Sequence, residues 1–150
     1  MLKFATAAVV LLGSVAWAAA ATPQCQRAQD LEADQAMRFQ TEVMVVSDTC
    51  GAQTYTRFAR RNRQVLVEYQ RQVIEHFRRI GSPHAEARFD SYLTQLANEV
   101  SLRLGAQPVA QMCEQAQPLL TTADSLTGDG LRRYVAKQVA VRSNPHPCRD

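Results

Sequence analysis

Residues 53–80 read QTYTRFARRNRQVLVEYQRQVIEHFRRI. Tyr55, Phe58, Val65, Leu66, Tyr69, Val73, Phe77 and Ile80 recur at three- and four-residue intervals, the period of an amphipathic helix held over about four heptads. Nothing in the stretch alternates with the period of two that a half-buried strand requires. Gly81 closes the run, and Ser82 with Pro83 supplies the residue types of an N-cap and a first helical position. A long second helix is therefore predicted over 53–80. A third follows from Pro83 to Gly105 on the stripe Phe89, Tyr92, Leu93, Leu96, Val100 and Leu104.

Working outward, residues 28–49 carry Leu31, Met37, Val43, Met44 and Val46 on one stripe, with Asp30, Glu32 and Asp34 in the early turns where the helix dipole favours acids. Gly51 is a natural stop. A fourth helix is predicted over 108–123 on Val109, Met112, Cys113, Ala116, Leu119 and Leu120, bent or broken at Pro118. Thr127-Gly128-Asp129-Gly130 reads as a turn, and Leu131, Tyr134, Val135 and Val139 predict a short last helix before a Pro-rich tail. Short connections make sequential helices antiparallel neighbours. The fold class is all-α: an up-and-down helical bundle of four main helices, with the short C-terminal helix as a flank.

The 150 residues suit a single domain, with 46% of them apolar and 21% charged. The first 20 residues are expected not to belong to it. Lys3 is the only charge there, residues 4–15 are apolar or small, and Ala16 to Ala21 form a small-residue cleavage region interrupted by Trp17. Cleavage after Ala18, Ala20 or Ala21 leaves alanines at the −1 and −3 positions, and we place it after Ala20. Residues 1–20 then form a secretory signal peptide, and residues 21–150 one helical domain, periplasmic or secreted, with no transmembrane segment. A membrane anchor fits less well, because residues 4–21 barely reach the ~20 a bilayer needs and no basic stop-transfer cluster follows. A lipoprotein fits less well still, since Thr22, Pro23 and Gln24 precede Cys25 where small and aliphatic residues are expected. Without Lys3, 16 basic residues face 14 acidic ones, too even a balance to imply nucleic acid as a partner.

Cys25, Cys50, Cys113 and Cys148 are an even set in an exported chain, and two disulfides are the expectation. If the first helix is continuous, Cys25 and Cys50 lie 25 steps of 1.5 Å apart, about 37 Å, whereas bridged Cα atoms stand roughly 5.5 Å apart. They cannot pair with each other. Cys50 ends helix one at the top of the bundle, and Cys113 lies two turns into helix four at the same end. Cys50–Cys113 is therefore predicted, which leaves Cys25–Cys148.

The gaps between these cysteines have no metal-ligand spacing, and His146 near Cys148 sits between Pro145 and Pro147. No C-x-x-C-H, G-x-S-x-G, phosphate loop, H-E-x-x-H or Glu-x-x-His pattern occurs, so neither catalytic residues, a cofactor nor a metal is expected. His76 beside Phe77 has no nucleophile nearby, and Glu86 and Asp90 are the acids that an early helical turn attracts. Met37 and Met44 suit core packing better than soft-metal binding.

Charge is distributed less evenly than its total suggests. Residues 53–80 hold seven arginines, at 57, 60, 61, 63, 71, 78 and 79, against Glu68 and Glu75, while helix one holds Arg38 against Asp30, Glu32, Asp34, Glu42 and Asp48. One account is complementarity across the edges of neighbouring helices, or a solvated face. The other is an anion-recognising patch of Arg57, Arg60, Arg61 and Arg63 for an acidic envelope protein or an anionic envelope surface. The stretches Glu42–Cys50 and Phe89–Asn98, with Cys113 following, resemble small uncharacterised secreted four-cysteine helical proteins of Gram-negative bacteria. That resemblance implies an exported helical fold and brings no activity with it. The expected function is that of a non-enzymatic interaction or accessory protein. The alternative is a small-ligand or metal carrier using the bundle interior, on the strength of the methionines and of Asn62 and Asn98 near core stripes.

Overall fold

The computed structural model describes residues 27–141, so the expected signal peptide, Cys25, Cys148 and the Pro-rich tail lie outside the described residues. Those residues form five α-helices and no strand: α1 (Ala28–Cys50), α2 (Thr54–Arg79), α3 (Ala85–Gly105), α4 (Val109–Ser125) and α5 (Gly128–Val141). None is long and apolar enough to cross a membrane.

The helix ends follow local chemistry. Gly81 adopts φ +82, and two bonds close the end of α2, from Gly81 N–H to the Arg78 carbonyl and from Ser82 N–H to the Phe77 carbonyl. This is a Schellman closure, and it needs the left-handed conformation that glycine adopts without steric cost. It also moves the predicted start of α3. Ser82 is consumed in ending α2, so α3 begins at Ala85, with the first helical bond from Arg88 N–H to the His84 carbonyl. Thr127 to Gly130 is likewise a tight turn that becomes helix, since Gly130 N–H and Leu131 N–H both donate to the Thr127 carbonyl. Pro118 does not break α4. Both it and Glu114, whose carbonyl loses its helical donor, are exposed, so water can solvate that carbonyl.

Packing departs from a four-helix bundle with a flank. α1 and α2 form a central pair against which α3, α4 and α5 all pack. α5 is part of the core: Leu131 and Val135 are fully buried with Phe58, Met37, Val43 and Val46. Phe39 is also buried, its ring 5.5 Å from Phe58 and 4.9 Å from Tyr134. Met44 instead stands 39% exposed. α4 runs from α1 to α2 across the end of their hairpin. The Cys50–Cys113 disulfide holds it to α1, with Cα atoms 5.2 Å apart. Leu120 packs on Val46, and a Cβ at Gly51 would stand 3.3 Å from Leu120 Cδ1. At the far end of α4, Asp124 meets Thr54 and Arg57 of α2. Held across the hairpin in this way, α4 does not close against α3, and a groove stays open between them above α1.

Candidate functional site

Two regions carry polar chemistry: the arginine face of α2 and the groove above α1. The four arginines predicted as one patch divide in two. Arg57 donates from Nε to Asp124 Oδ1 at 3.0 Å and from Nη2 to Oδ2 at 2.7 Å, a two-point pair with the carboxylate. Arg61 donates to the carbonyls of Ala123 at 3.3 Å and Asp124 at 2.6 Å, at the C-terminal end of α4 where the helix dipole attracts a cation. Arg57 and Arg61 therefore fasten α4 to α2. Nearby, Asn62 Nδ2 bonds the Leu126 carbonyl and so fixes the link into α5. Asn98, also expected near the core, is exposed.

The hydrogen bond from Arg57 holds the Asp124 carboxyl below the usual carboxylate range against the opposing effect of burial, and the charges of Arg57 and Arg61 add to it. A depressed folded pKa stabilises the fold above the unfolded value of about 4, and that stabilisation is lost as pH falls through the folded value. Asp124→Asn is therefore expected to lower stability at neutral pH and to lower it less at about pH 2, as the carboxyl takes up its proton and approaches the neutral state of the amide. Urea midpoints at the two pH values check this. An equal penalty at both would show that the charge of Asp124 contributes nothing.

The other α2 arginines separate as clearly. Arg78 pairs with Glu75 and with Glu86 of α3. Arg79 Nη2 lies 2.6 and 2.7 Å from the two oxygens of Asp30, which is buried and also 3.4 Å from His76 Nδ1. Only this cluster realises the expected charge complementarity between α1 and α2. Arg60, Arg63 and Arg71 are exposed and make no ion pair among the described residues. They line one shallow surface with Val67, 37% exposed, between them. Glu68 does not neutralise this stripe, because Arg132 of α5 pairs with it.

The groove has two adjoining parts of about 420 and 480 Å³. Glu42, Arg103 and Leu119 line both, and Arg103 Nη2 lies 2.5 Å from Glu42 Oε1 at the join. In the first part α1 contributes Gln35 and Phe39, α3 contributes Leu96 and Val100, and Tyr134 and Gln138 come from α5. Arg38 at the rim bonds Asp34 at 2.8 Å and stands 3.9 Å from Glu99. Tyr92 donates to the other oxygen of Asp34 at 2.6 Å, and burial, with Asp34 beside it, raises its phenol well above the usual range. Gln35 is 8% exposed, and no protein donor reaches its buried Oε1. A buried acceptor left unmade costs about 1–3 kcal/mol.

No family model, curated protein or solved structure matches this chain. Its own geometry therefore carries the functional reading. Among the described residues no three His, Cys, Asp or Glu side chains are grouped to hold a metal. The sequence reading missed Gln35. Its signal was a polar residue four before Phe39 on the buried side of α1, legible only once Phe39 is placed in the core.

Proposed function

We propose that this chain is an exported, non-enzymatic interaction protein that presents Arg60, Arg63 and Arg71 to an acidic protein of the cell envelope. The observation that carries the reading is the stripe itself: three guanidinium groups on one helix face, unpaired among the described residues, around an exposed valine. Guanidinium forks match carboxylates two bonds at a time, while the stems and Val67 offer apolar contact. Arginine beside a small apolar centre suits a protein interface better than a lipid surface, where point charge suffices.

Export is supported by the expected signal peptide over residues 1–20 and by the Cys50–Cys113 bridge, a bond that persists in oxidising compartments. A second bridge, Cys25–Cys148, belongs to the same reading. Tyr134 stands beside Phe39, and Gln138 lines the groove with Gln35, so α5 descends antiparallel to α1.

Capture from periplasmic extract tests the stripe. Wild type is expected to retain an acidic protein that high salt releases, and the triple variant Arg60→Glu, Arg63→Glu, Arg71→Glu to lose it while melting at an unchanged temperature. Identical profiles would remove the stripe from the reading. Flotation with anionic vesicles that is lost in the variant would transfer it to a lipid surface.

A further inference from the structure

We infer that Thr54, Arg57 and Arg61 form a carboxylate subsite at the N-terminal end of the arginine stripe, occupied in the resting chain by Asp124 and open to exchange for a carboxylate of the acidic partner. The inference rests on the reading of the stripe proposed above and adds to it the place where the partner competes with the chain's own acid.

The occupant itself shows which chemistry the subsite accepts. Arg57 grips Asp124 at two points, 3.0 Å from Nε to Oδ1 and 2.7 Å from Nη2 to Oδ2, and Arg61 Nη2 stands 3.5 Å from Oδ1. Thr54, 5% exposed, donates from Oγ1 to Oδ2 at 3.4 Å and accepts from Arg57 Nη2 at 3.2 Å, which steadies the guanidinium fork. The subsite adjoins the stripe, because Arg57 is three residues before Arg60 on α2 and Arg61 lines the same shallow surface as Arg60 and Arg63. Exchange needs no unfolding. The side chains of Arg57 and Asp124 are 45% and 37% exposed, so an incoming carboxylate reaches the fork from solvent, and one exposed pair replaces another at nearly equal free energy. α4 meanwhile keeps its place without the carboxylate, since Ala123 is fully buried and Arg61 also bonds the Ala123 and Asp124 carbonyls. Asp124 thus holds Arg57 out of the stripe, and its removal leaves a two-point donor for the partner beside Arg60.

A fluorescein-labelled decaglutamate peptide, followed by anisotropy at about 0.1 M salt, probes the subsite in the mature chain with its Cys50–Cys113 bridge intact. Asp124→Asn is expected to tighten binding about fivefold, the scale of one exposed ion pair. In an Arg57→Gln background the same substitution should change affinity by less than about twofold, as should Asp129→Asn, which removes an equal charge from an exposed acid of α5. Thermal melts establish that each chain is folded, and Asp124→Ser replaces an Asp124→Asn chain that is not. Equal tightening with and without Arg57 would overturn the inference, and so would no tightening in either background. The triple variant Arg60→Glu, Arg63→Glu, Arg71→Glu separates this result from the reading of the stripe. If it binds the peptide as wild type does while Asp124→Asn still tightens binding through Arg57, the stripe falls and the subsite stands. If it abolishes binding while Asp124→Asn changes nothing, the subsite falls and the stripe stands.

Discussion

Replacing Cys50 and Cys113 together by alanine lowers the midpoint of thermal unfolding by on the order of 15 °C. The bridge joins residues 63 apart in sequence. For a loop of that length the chain-entropy model gives roughly 4 kcal/mol, and in a domain of this size each kcal/mol moves the midpoint by about 3–5 °C. The position of the bond matters as much as its loop. α4 lies across the hairpin of α1 and α2, and its Ala116 and Leu120 share with Val46 a small cluster apart from the main core, with Cys50, Leu104 and Leu119 packed against it. Its far end is held separately by Arg57 and Arg61. Without the bridge, protection from hydrogen exchange should therefore fall first around Met112 to Ala116 and persist near Asp124. Circular dichroism melts of the double variant, compared with wild type under non-reducing conditions, give the global effect. A midpoint within about 3 °C of wild type would mean that the cluster alone fixes α4.

What the sequence disclosed, and what it withheld, divides by the range of the interaction. Gly81 was legible because the end of α2 needs a positive φ at that residue. The Cys50–Cys113 pairing was legible because helix length alone separates the ends of a bundle. Ser82 misled because a single residue had two local uses, and the closure of α2 took it before the start of α3. The arginines misled for a longer-range reason. Spacing places Arg57, Arg60, Arg61 and Arg63 within two turns, but whether each faces water depends on where α4 ends. Asp124 captures Arg57 and the last carbonyls of α4 capture Arg61, contacts 67 and 63 residues apart that no periodicity encodes. Arg71, a further two turns along α2, took their place beside Arg60 and Arg63.

The groove has the same origin. Four antiparallel helices would have closed α4 against α3. Because the bridge and the Asp124 pair hold α4 across α2 instead, α1 is roofed only in part, and a groove remains open between α3 and α5. The residues that fasten α4 thus determine both which arginines stay free and whether a cavity exists. Asp124 variants are accordingly expected to alter the two regions together.

Leu131→Ala is expected to cost about 3 kcal/mol, and it tests whether α5 is core or ornament. Read from spacing, α5 is a short flank whose leucine would be partly wet, and truncating it would cost under about 1 kcal/mol. In the structure Leu131 has no exposed surface, and α5 packs on both α1 and α2, with Tyr134 against Phe39. Removing three carbons from such a site loses their transfer free energy and leaves a cavity that rigid neighbours fill only in part. Leu102→Ala provides the control. Leu102 is 79% exposed, and its truncation should change stability by no more than about 0.5 kcal/mol. Urea unfolding of the two variants and wild type, at an unchanged dependence on denaturant, gives the comparison. Equal midpoints for Leu131→Ala and Leu102→Ala would return α5 to the surface. They would also remove the wall that Tyr134 and Gln138 give the groove.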